Sequence, residues 1–262
     1  MKPFLNKIKV AAKASHASAA VGDLRQRAFI GTSGWAYASW KPGFYPQSLA
    51  QRRFLEYYAT QLNSVEVNYT FRRLPTESMI AGWLSAAGAG FRFSFKAPQR
   101  ITHILRLKDC ADAVVDLSRA LAPIAAGGSM GVVLLQLPPN FKADPFLLDA
   151  FLTVAKPSGL RMAFEFRQNT WFCDQVYGVL RNHGAALCVA ENEDLETPDV
   201  VTAPFTYYRL RKSGYSRAQL KVLEGILRGR SSEGEVFAYF KHEEQPTSVL
   251  CAVRMLRRLR RG

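Results

Sequence analysis

The feature that most constrains the fold is a regular alternation of strand-like and helix-like segments along the chain. Eight segments rich in β-branched and aromatic residues are typical of buried strands, and each is followed by a stretch with helical character. The predicted strands are Phe29–Ser33, Ser64–Tyr69, Phe91–Ala97, Met130–Leu137, Arg161–Arg167, Ala185–Ala190, Phe205–Leu210 and Glu235–Phe240. Two helical stretches begin with a capping box, from Ser48 to Gln51 and from Ser216 to Gln219. A strand followed by a helix, eight times over, predicts a single-domain (β/α)₈ TIM-type barrel of the α/β class.

An open, doubly wound sheet is the main alternative for such an alternation. Its phosphate-binding turn has the pattern G-x-G-x-x-G, whereas the turn after the first predicted strand reads Gly31-Thr32-Ser33-Gly34-Trp35. The chain contains no Walker motif and no linker-like stretch of Pro, Ser and Gly. A closed barrel is therefore favoured, and 262 residues are a usual length for one such domain.

Positive charge collects at both ends of the chain. The net charge is +14, and residues 1–27 carry six Lys and Arg against the single acid Asp23. We predict that residues 1–27 form a flexible basic tail and that residues 28–262 form the barrel, which ends in an Arg-rich helix. The arginines of that helix are Arg254, Arg257, Arg258, Arg260 and Arg261. Basic ends of this kind can bind nucleic acid or an anionic membrane surface, or can simply be solvated.

Hydropathy and cysteine usage indicate the compartment. No run approaches the ~18 apolar residues that would span a bilayer, and residues 1–27 lack the continuous apolar stretch of a signal peptide. The four cysteines are scattered without a C-x-x-C pair, which is typical of free thiols in a reducing compartment. We therefore expect a soluble, cytoplasmic protein.

Alternation within the strands predicts which side chains line the barrel. Successive strand residues point to opposite faces, and the outer face must be apolar because it receives the helices. On the second strand Val65, Val67 and Tyr69 take the outer face, which leaves Glu66 and Asn68 inside. The same reasoning places inside the barrel Arg92, Ser94, Lys96, Gln136, Ala163, Glu165, Arg167, Tyr207 and Arg209, with either Tyr239 and Lys241 or Phe240 and His242.

Seven of these polar residues fall near the C-terminal ends of their strands, where barrel enzymes hold their sites. They are Glu66, Lys96, Gln136, Glu165, Arg167, Arg209 and Lys241. One interpretation is an ion-pair network that only fixes strand register. The other is an anion site, because cations outnumber carboxylates and the loop from Arg211 to Ser216 brings Gly and two bases to a helix N-terminus. We predict that Glu66, Lys96, Glu165 and Arg167 converge at one mouth and that Arg209 binds a phosphate-sized anion.

Histidine is scarce, and this limits the chemistry. Of the four histidines, only His103 and His242 follow predicted strands closely enough to be site candidates. A multi-zinc cluster would need more imidazole and carboxylate ligands than this mouth offers, and we favour no metal. A single Mg²⁺ or Mn²⁺ held by Glu66 or Glu165 is the alternative that stays open. No Ser or Cys has the context of an activated nucleophile.

Several short motifs resemble a known family. They are Ile30-Gly31-Thr32-Ser33-Gly34-Trp35, Phe44-Tyr45-Pro46, Asn63-Ser64-Val65-Glu66-Val67-Asn68, Phe71 with Arg73-Leu74-Pro75, Lys96-Ala97-Pro98 with Ile101-Thr102-His103, Gln136-Leu137-Pro138-Pro139 and Phe164-Glu165-Phe166-Arg167. They are similar to the YecE-like family, domain of unknown function 72, from Phe29 to about Leu256. The resemblance implies a TIM-type barrel in a bacterial cytoplasmic protein and implies no substrate.

Position by position, the resemblance implies a set of recurrent polar residues. They are Trp35, Glu66, Lys96, His103, Gln136, Glu165, Arg167, Trp171 and Arg209. This chain departs from the family pattern at Gln168, where His is frequent, and at Glu191, where Asp is usual. It also has Lys241-His242-Glu243 at the eighth strand, which resembles only one branch of the family.

Two functional hypotheses follow. In the first, the barrel is an enzyme that acts by carboxylate acid/base or hydrolytic chemistry on an anionic, phosphate-bearing substrate. Its candidate catalytic residues are Glu66, Glu165, Lys96 and His103, and its candidate substrate-binding residues are Trp35, Asn68, Gln136, Arg167, Trp171, Arg209 and Lys241. In the second, the protein binds nucleic acid without chemistry, with the Arg-rich ends as the electrostatic part and Trp35, Tyr37, Trp40 and Tyr45 as stacking platforms. A nuclease-like phosphoesterase similar in fold to endonuclease IV would combine the two.

Overall fold

The strands of the protein pair side by side in chain order around a barrel. The computed structural model describes residues 27–192, 194–241 and 244–261. Within them lie eight parallel strands: β1 (Ala28–Thr32), β2 (Ser64–Val67), β3 (Arg92–Lys96), β4 (Met130–Gln136), β5 (Met162–Glu165), β6 (Ala186–Ala190), β7 (Phe205–Leu210) and β8 (Glu235–Phe240). The hydrogen-bonded order is β1-β8-β7-β6-β5-β4-β3-β2. The predicted (β/α)₈ architecture in one domain is confirmed.

Helices cover the outside of this sheet. The described residues form seven α-helices: α1 (Phe54–Gln61), α2 (Glu77–Ala87), α3 (Ala111–Ala126), α4 (Pro145–Ala155), α5 (Asp174–Asn182), α6 (Arg217–Glu233) and α7 (Thr247–Arg261). The prediction of a helix after every strand is wrong at one place, because the described part of the β6–β7 connection contains none.

The last gap of the barrel, between β1 and β2, is closed mainly by side chains. Only an isolated bridge joins Ser33 to Glu66. Elsewhere along this seam, Asn63 Oδ1 accepts from the Ile30 amide and Asn63 Nδ2 donates to the Ala28 carbonyl, both at 2.8 Å. The hydroxyl of Tyr58 accepts from the Thr32 amide at 2.8 Å and donates to the Ser64 carbonyl at 3.0 Å. These contacts satisfy backbone groups that a regular ladder would have paired.

Two cores result from the alternation of strand residues. The larger one lies between strands and helices and includes Val65, Val67, Phe93 and Phe95. The smaller one fills the barrel itself with Phe29, Val132, Leu134, Ala163, Ala186, Cys188, Ala190, Phe205, Tyr207, Phe237 and Tyr239. On the eighth strand, Tyr239 rather than Phe240 therefore faces inward, and alternation then gives Lys241 the same side.

Local predictions at two element boundaries need correction. Strand β2 ends at Val67, and Tyr69 begins a 3₁₀ turn with 41% of its surface exposed, so it is not an outward strand residue. The capping box from Ser216 to Gln219 is present at the start of α6. The one at Ser48 is absent, because the chain there runs into a 3₁₀ turn and α1 begins only at Phe54.

Candidate functional site

A buried cation holds two carboxylates at the centre of the C-terminal end of the barrel. Arg209, on β7, donates from Nη2 to Glu66 Oε1 at 2.7 Å and from Nη1 to Glu165 Oε2 at 2.5 Å. Glu66 Oε1 also accepts from Ser33 Oγ, and Glu66 Oε2 accepts from Tyr207 Oη, both at 2.8 Å. All of these residues are buried, with Arg209 only 1% exposed. We refer to Glu66, Glu165 and Arg209 as the ion-pair triad.

The triad keeps both glutamates charged. Burial alone would raise the pKa of Glu66, but the charges of Arg209 and Arg211 and the hydrogen bonds from Arg209 and Tyr207 outweigh it and lower the pKa to about 2. For Glu165, burial is likewise opposed by Arg209 and by hydrogen bonds from Gln136 and Arg209, and the pKa is lowered. Both side chains are therefore carboxylates at neutral pH.

A hydrogen-bonded relay connects this triad to the amine of Lys96. Gln136 Nε2 donates to Glu165 Oε1 at 2.8 Å, while Gln136 Oε1 accepts from Lys96 Nζ at 2.8 Å. The ammonium group also lies over the ring of Phe71, 4.1 Å from its centroid. Burial, followed by the charge of Arg209, lowers the pKa of Lys96 to about 8 even though both glutamates act in the opposite direction. The amine is thus poised near physiological pH.

His103 lies on the edge of the same aromatic ring. Its imidazole and the ring of Phe71 are 5.1 Å apart at an interplanar angle of 82°, and its Nδ1 forms a 2.8 Å hydrogen bond with Thr102 Oγ1. Burial and the nearby charges of Lys96, Arg167 and Arg106 lower the pKa of His103. Because the ordinary value is already below 7, the imidazole is neutral at neutral pH.

Two residues of this mouth, Arg211 and Phe71, were noted in the sequence only as part of a basic loop and of a family motif, and were not predicted as site residues. Burial and the charge of Arg209 lower the pKa of Arg211, and its charge in turn affects Glu66 and Lys96, so its guanidinium lies near the triad. Within the described part of the chain, no side-chain hydrogen bond or ion pair involves it. Extending the alternation of Tyr207 and Arg209 by one step would have placed Arg211 inside the barrel, whereas Phe71 follows the end of β2 in a 3₁₀ turn, where strand alternation no longer applies.

The remaining predicted site residues lie at varying distances from this centre. Arg167 is exposed at the rim and acts electrostatically on His103. Lys241 is half-buried beyond the end of β8, and Asn68 is half-buried with an Oδ1 that has no hydrogen-bond partner in the described structure. Trp35 is half-buried and packs edge-on against Trp83. Glu191 accepts hydrogen bonds from Tyr215 and from the backbone of the β7–α6 loop.

Three aromatic assignments require correction because the side chains are buried. Trp171 is 0% exposed, stacks on Phe166 at 4.5 Å and donates to the Phe141 carbonyl at 2.6 Å, so it supports a loop and does not face the mouth. Trp40 and Tyr45 are also 0% exposed and pack together in the first loop. They are not stacking platforms.

The donor set does not favour the single-metal alternative at the triad. Each carboxylate oxygen of Glu66 and Glu165 already accepts a hydrogen bond from a protein donor. Among the described residues, no group of three or more His, Cys, Asp or Glu is arranged to hold a metal ion. His242, the other histidine candidate, lies outside the described residues.

Other general predictions can be compared with the described structure. None of the four cysteines, all of which lie in the described part of the chain, forms a disulfide. Among the residues that the structure describes, no helix is long and apolar enough to cross a membrane.

Comparison with known proteins gives a family match over most of the chain. The family model described as "Protein of unknown function DUF72" matches residues 29–262. The UPF0759 protein YecE of Escherichia coli (strain K12) is 32% identical over 114 residues, which cover 43% of this chain and 38% of YecE. The UPF0759 protein YunF of Bacillus subtilis (strain 168) is 26% identical over 155 residues, which cover 57% of this chain and 54% of YunF. The matches therefore span about half or less of these relatives.

A solved structure extends the likeness over most of the chain. The crystal structure of a DUF72 family protein from Thermotoga maritima has a TM-score of 0.78 and 24% sequence identity, and the match covers 88% of this chain and 98% of that one. At this identity the likeness shows the fold.

Proposed function

This chain belongs to the DUF72 family of proteins of unknown function, and we propose that it is an enzyme that binds an anionic, phosphate-bearing substrate at the C-terminal mouth and acts on it by proton transfer. The proposal rests on an excess of positive charge at the C-terminal mouth. Arg209 is matched by two carboxylates, while Lys96, Arg211 and Arg167 face the mouth with no ion pair in the described structure. An entering anion would supply the missing negative charge.

The triad and the cations around it have different roles in this proposal. From the sequence, we expected Glu66 and Glu165 to do the acid/base work and Arg209 to bind the anion. A carboxylate with a pKa of about 2 is a poor proton acceptor at neutral pH, and a fully buried Arg209 has both ends of its guanidinium engaged. We therefore place the triad in a positioning role: it orients Gln136, which in turn holds Lys96.

Lys96 and His103 are the residues best suited to move protons. The amine of Lys96 titrates near pH 8 and is mainly an ammonium at pH 7, so it can donate a proton to a leaving oxygen. The neutral imidazole of His103 can accept a proton from water or from a substrate hydroxyl. In hydrolysis of a phosphate ester, water would add to phosphorus, its proton would pass to His103, and the departing oxygen would take the proton of Lys96.

Phosphate titration combined with thermal unfolding tests the binding part of the proposal. A ligand that binds only the native state stabilises it by about 2.7 kcal/mol at a concentration of 100 Kd. We expect inorganic phosphate, at constant ionic strength, to raise the melting temperature of the wild type in a saturable manner. The variant Arg211→Gln should need a much higher phosphate concentration for the same rise.

The variant Arg254→Gln is the matched control, since it removes one exposed arginine from the middle of α7 and changes no residue of the mouth. It should respond to phosphate as the wild type does. Absence of a saturable rise in the wild type, or an identical response of Arg211→Gln, would exclude the proposed anion site.

A further inference from the structure

Ion pairs are distributed unevenly over the described surface. Apart from the triad, the described ion pairs lie in the helical shell, such as Arg228 with Glu224, or at the N-terminal end of the barrel, such as Arg161 with Glu235. By contrast, the loops that follow β2 and β3 carry Arg72, Arg73, Arg100 and Arg106 without an ion pair in the described structure. We call these four residues the arginine strip. Its charge is available to a partner.

The arginine strip forms a groove that opens beside the mouth. Three of its members, Arg72, Arg73 and Arg100, line a cleft of about 140 Å³ together with Thr70. The one acidic residue that lines this cleft, Asp116, pairs with Arg119 outside it. Thr70 Oγ1 donates to the carbonyl of Lys96 at 2.6 Å. The guanidinium of Arg72 lies 5.8 Å from the centroid of Phe71, the ring that also carries Lys96. Groove and mouth are therefore neighbours, since two residues of the groove, Thr70 and Arg72, contact residues of the mouth.

The same two loops also carry exposed apolar side chains. Tyr69 is 41% exposed and Ile104 is 67% exposed, and both follow strands whose ends form the mouth. Cations beside an exposed ring such as Tyr69 are typical of surfaces that bind the backbone and a base of single-stranded nucleic acid together, whereas the aliphatic Ile104 adds only apolar contact. A small phosphorylated metabolite would occupy the mouth and leave this surface unused.

From these observations we infer that the phosphate-bearing substrate is a single-stranded nucleic acid whose backbone runs along the arginine strip into the mouth. This inference rests on the proposed function, because the strand would deliver one phosphodiester to the site of Lys96 and His103. An eight-stranded barrel has an interior only wide enough for side chains or one small ligand, so its mouth can admit a single nucleotide but not a duplex.

Binding of labelled oligonucleotides to the full chain tests this inference. Fluorescence anisotropy with single-stranded oligo-dT and oligo-U would be measured for the wild type over a range of salt concentrations. The variant Arg72→Gln/Arg73→Gln/Arg100→Gln should bind several-fold more weakly. Since each neutralised phosphate contributes about 0.7 to the dependence of log K on log salt for single strands, its slope should be smaller by about two.

A second triple variant with the same loss of charge provides the control. Arg181→Gln/Lys221→Gln/Arg254→Gln removes three exposed cations from α5, α6 and α7 and keeps the basic N-terminal end and the other four arginines of α7. It should bind like the wild type. Equal weakening of the two triple variants would mean that net charge alone attracts the strand, and tighter binding of a duplex than of the single strand would also overturn the inference.

Phosphate-induced stabilisation separates this inference from the proposed function. The strip variant should keep the wild-type response to inorganic phosphate, because Arg211 and Lys96 are intact. If the wild type bound no oligonucleotide but was stabilised by phosphate, the nucleic-acid inference would fail and the anion site would stand. If neither ligand bound, both proposals would fail.

Discussion

Arg209 determines the charge balance of the barrel interior. It is the partner of Glu66 and of Glu165, and removing one partner of a buried ion pair typically costs about 3–5 kcal/mol because the other charge stays buried. Strand alternation correctly predicted that these three side chains face inward. It could not show that Nη1 and Nη2 of Arg209 would each bind a carboxylate while the buried Nε has no hydrogen-bond partner in the described structure, since pairing depends on distances across the barrel between β2, β5 and β7.

The amine of Lys96 should titrate far below an ordinary lysine. We expect a midpoint of about 8 in the wild type, because burial and Arg209 lower its pKa. Below this pH the group is an ammonium that can donate a proton, and above it a neutral amine. Nuclear magnetic resonance of the reductively ¹³C-methylated protein would measure the midpoint, with Lys96→Arg identifying the signal.

The variant Arg211→Gln should raise that midpoint, since the charge of Arg211 is one of those that lower the pKa of Lys96. A midpoint near the ordinary lysine value in the wild type would contradict the proposed role of Lys96 in proton transfer.

At the scale of elements, the sequence predicts the structure best where burial makes apolar residues recur at a regular spacing. The outer residues Phe93 and Phe95 and the inner residues Ser94 and Lys96 follow the period of two along β3, and the structure places them accordingly. A helix was wrongly predicted in the β6–β7 connection, because one helix was assumed to follow each of the eight strands. Its described residues satisfy their polar groups differently: Thr202 Oγ1 accepts from the Leu187 amide at 2.9 Å.

The seam between β1 and β2 should depend on the absence of a side chain at Gly31. A Cβ atom there would lie 1.9 Å from the Ser64 carbonyl oxygen and 2.6 Å from its carbon. Both are backbone atoms, so Gly31→Ala must push β1 away from β2. We expect the free energy of unfolding, measured with urea, to fall by about 1–3 kcal/mol.

Gly178→Ala is the matched control in the interior of α5, where an added Cβ would meet no atom within 4 Å. It should stabilise the protein by about 0.5–1 kcal/mol, because glycine is a poor helix former. Equal stabilities of Gly31→Ala and the wild type would show that the seam is not held as closely as described.

At the scale of the whole molecule, the two ends of the barrel are built differently. The N-terminal end is closed by described residues: Phe29 stacks on Phe237 at 4.9 Å, and the guanidinium of Arg161 lies 5.2 Å from the Phe237 centroid and pairs with Glu235. The C-terminal end holds the triad together with cations that have no ion-pair partner in the described structure. The proposed chemistry therefore belongs to the C-terminal end, where barrel enzymes hold their sites.

This arrangement predicts that residues 1–25 can be removed without loss of the fold. They lie outside the described residues, and the sequence shows no periodic apolar face in them. The barrel retains its first backbone contact without them, because the amide of Val236 donates to the Arg27 carbonyl at 2.8 Å. Calorimetry of the truncated chain should give a melting temperature within about 2 °C of the full chain, which corresponds to roughly 0.5–1 kcal/mol at this size.

Gly31→Ala, measured in parallel, shows that the assay detects a destabilised barrel. A large fall after truncation would instead mean that the segment packs against the barrel, and the 350 Å³ cavity beside Phe29, Phe91 and Arg92 would be the place to look for it.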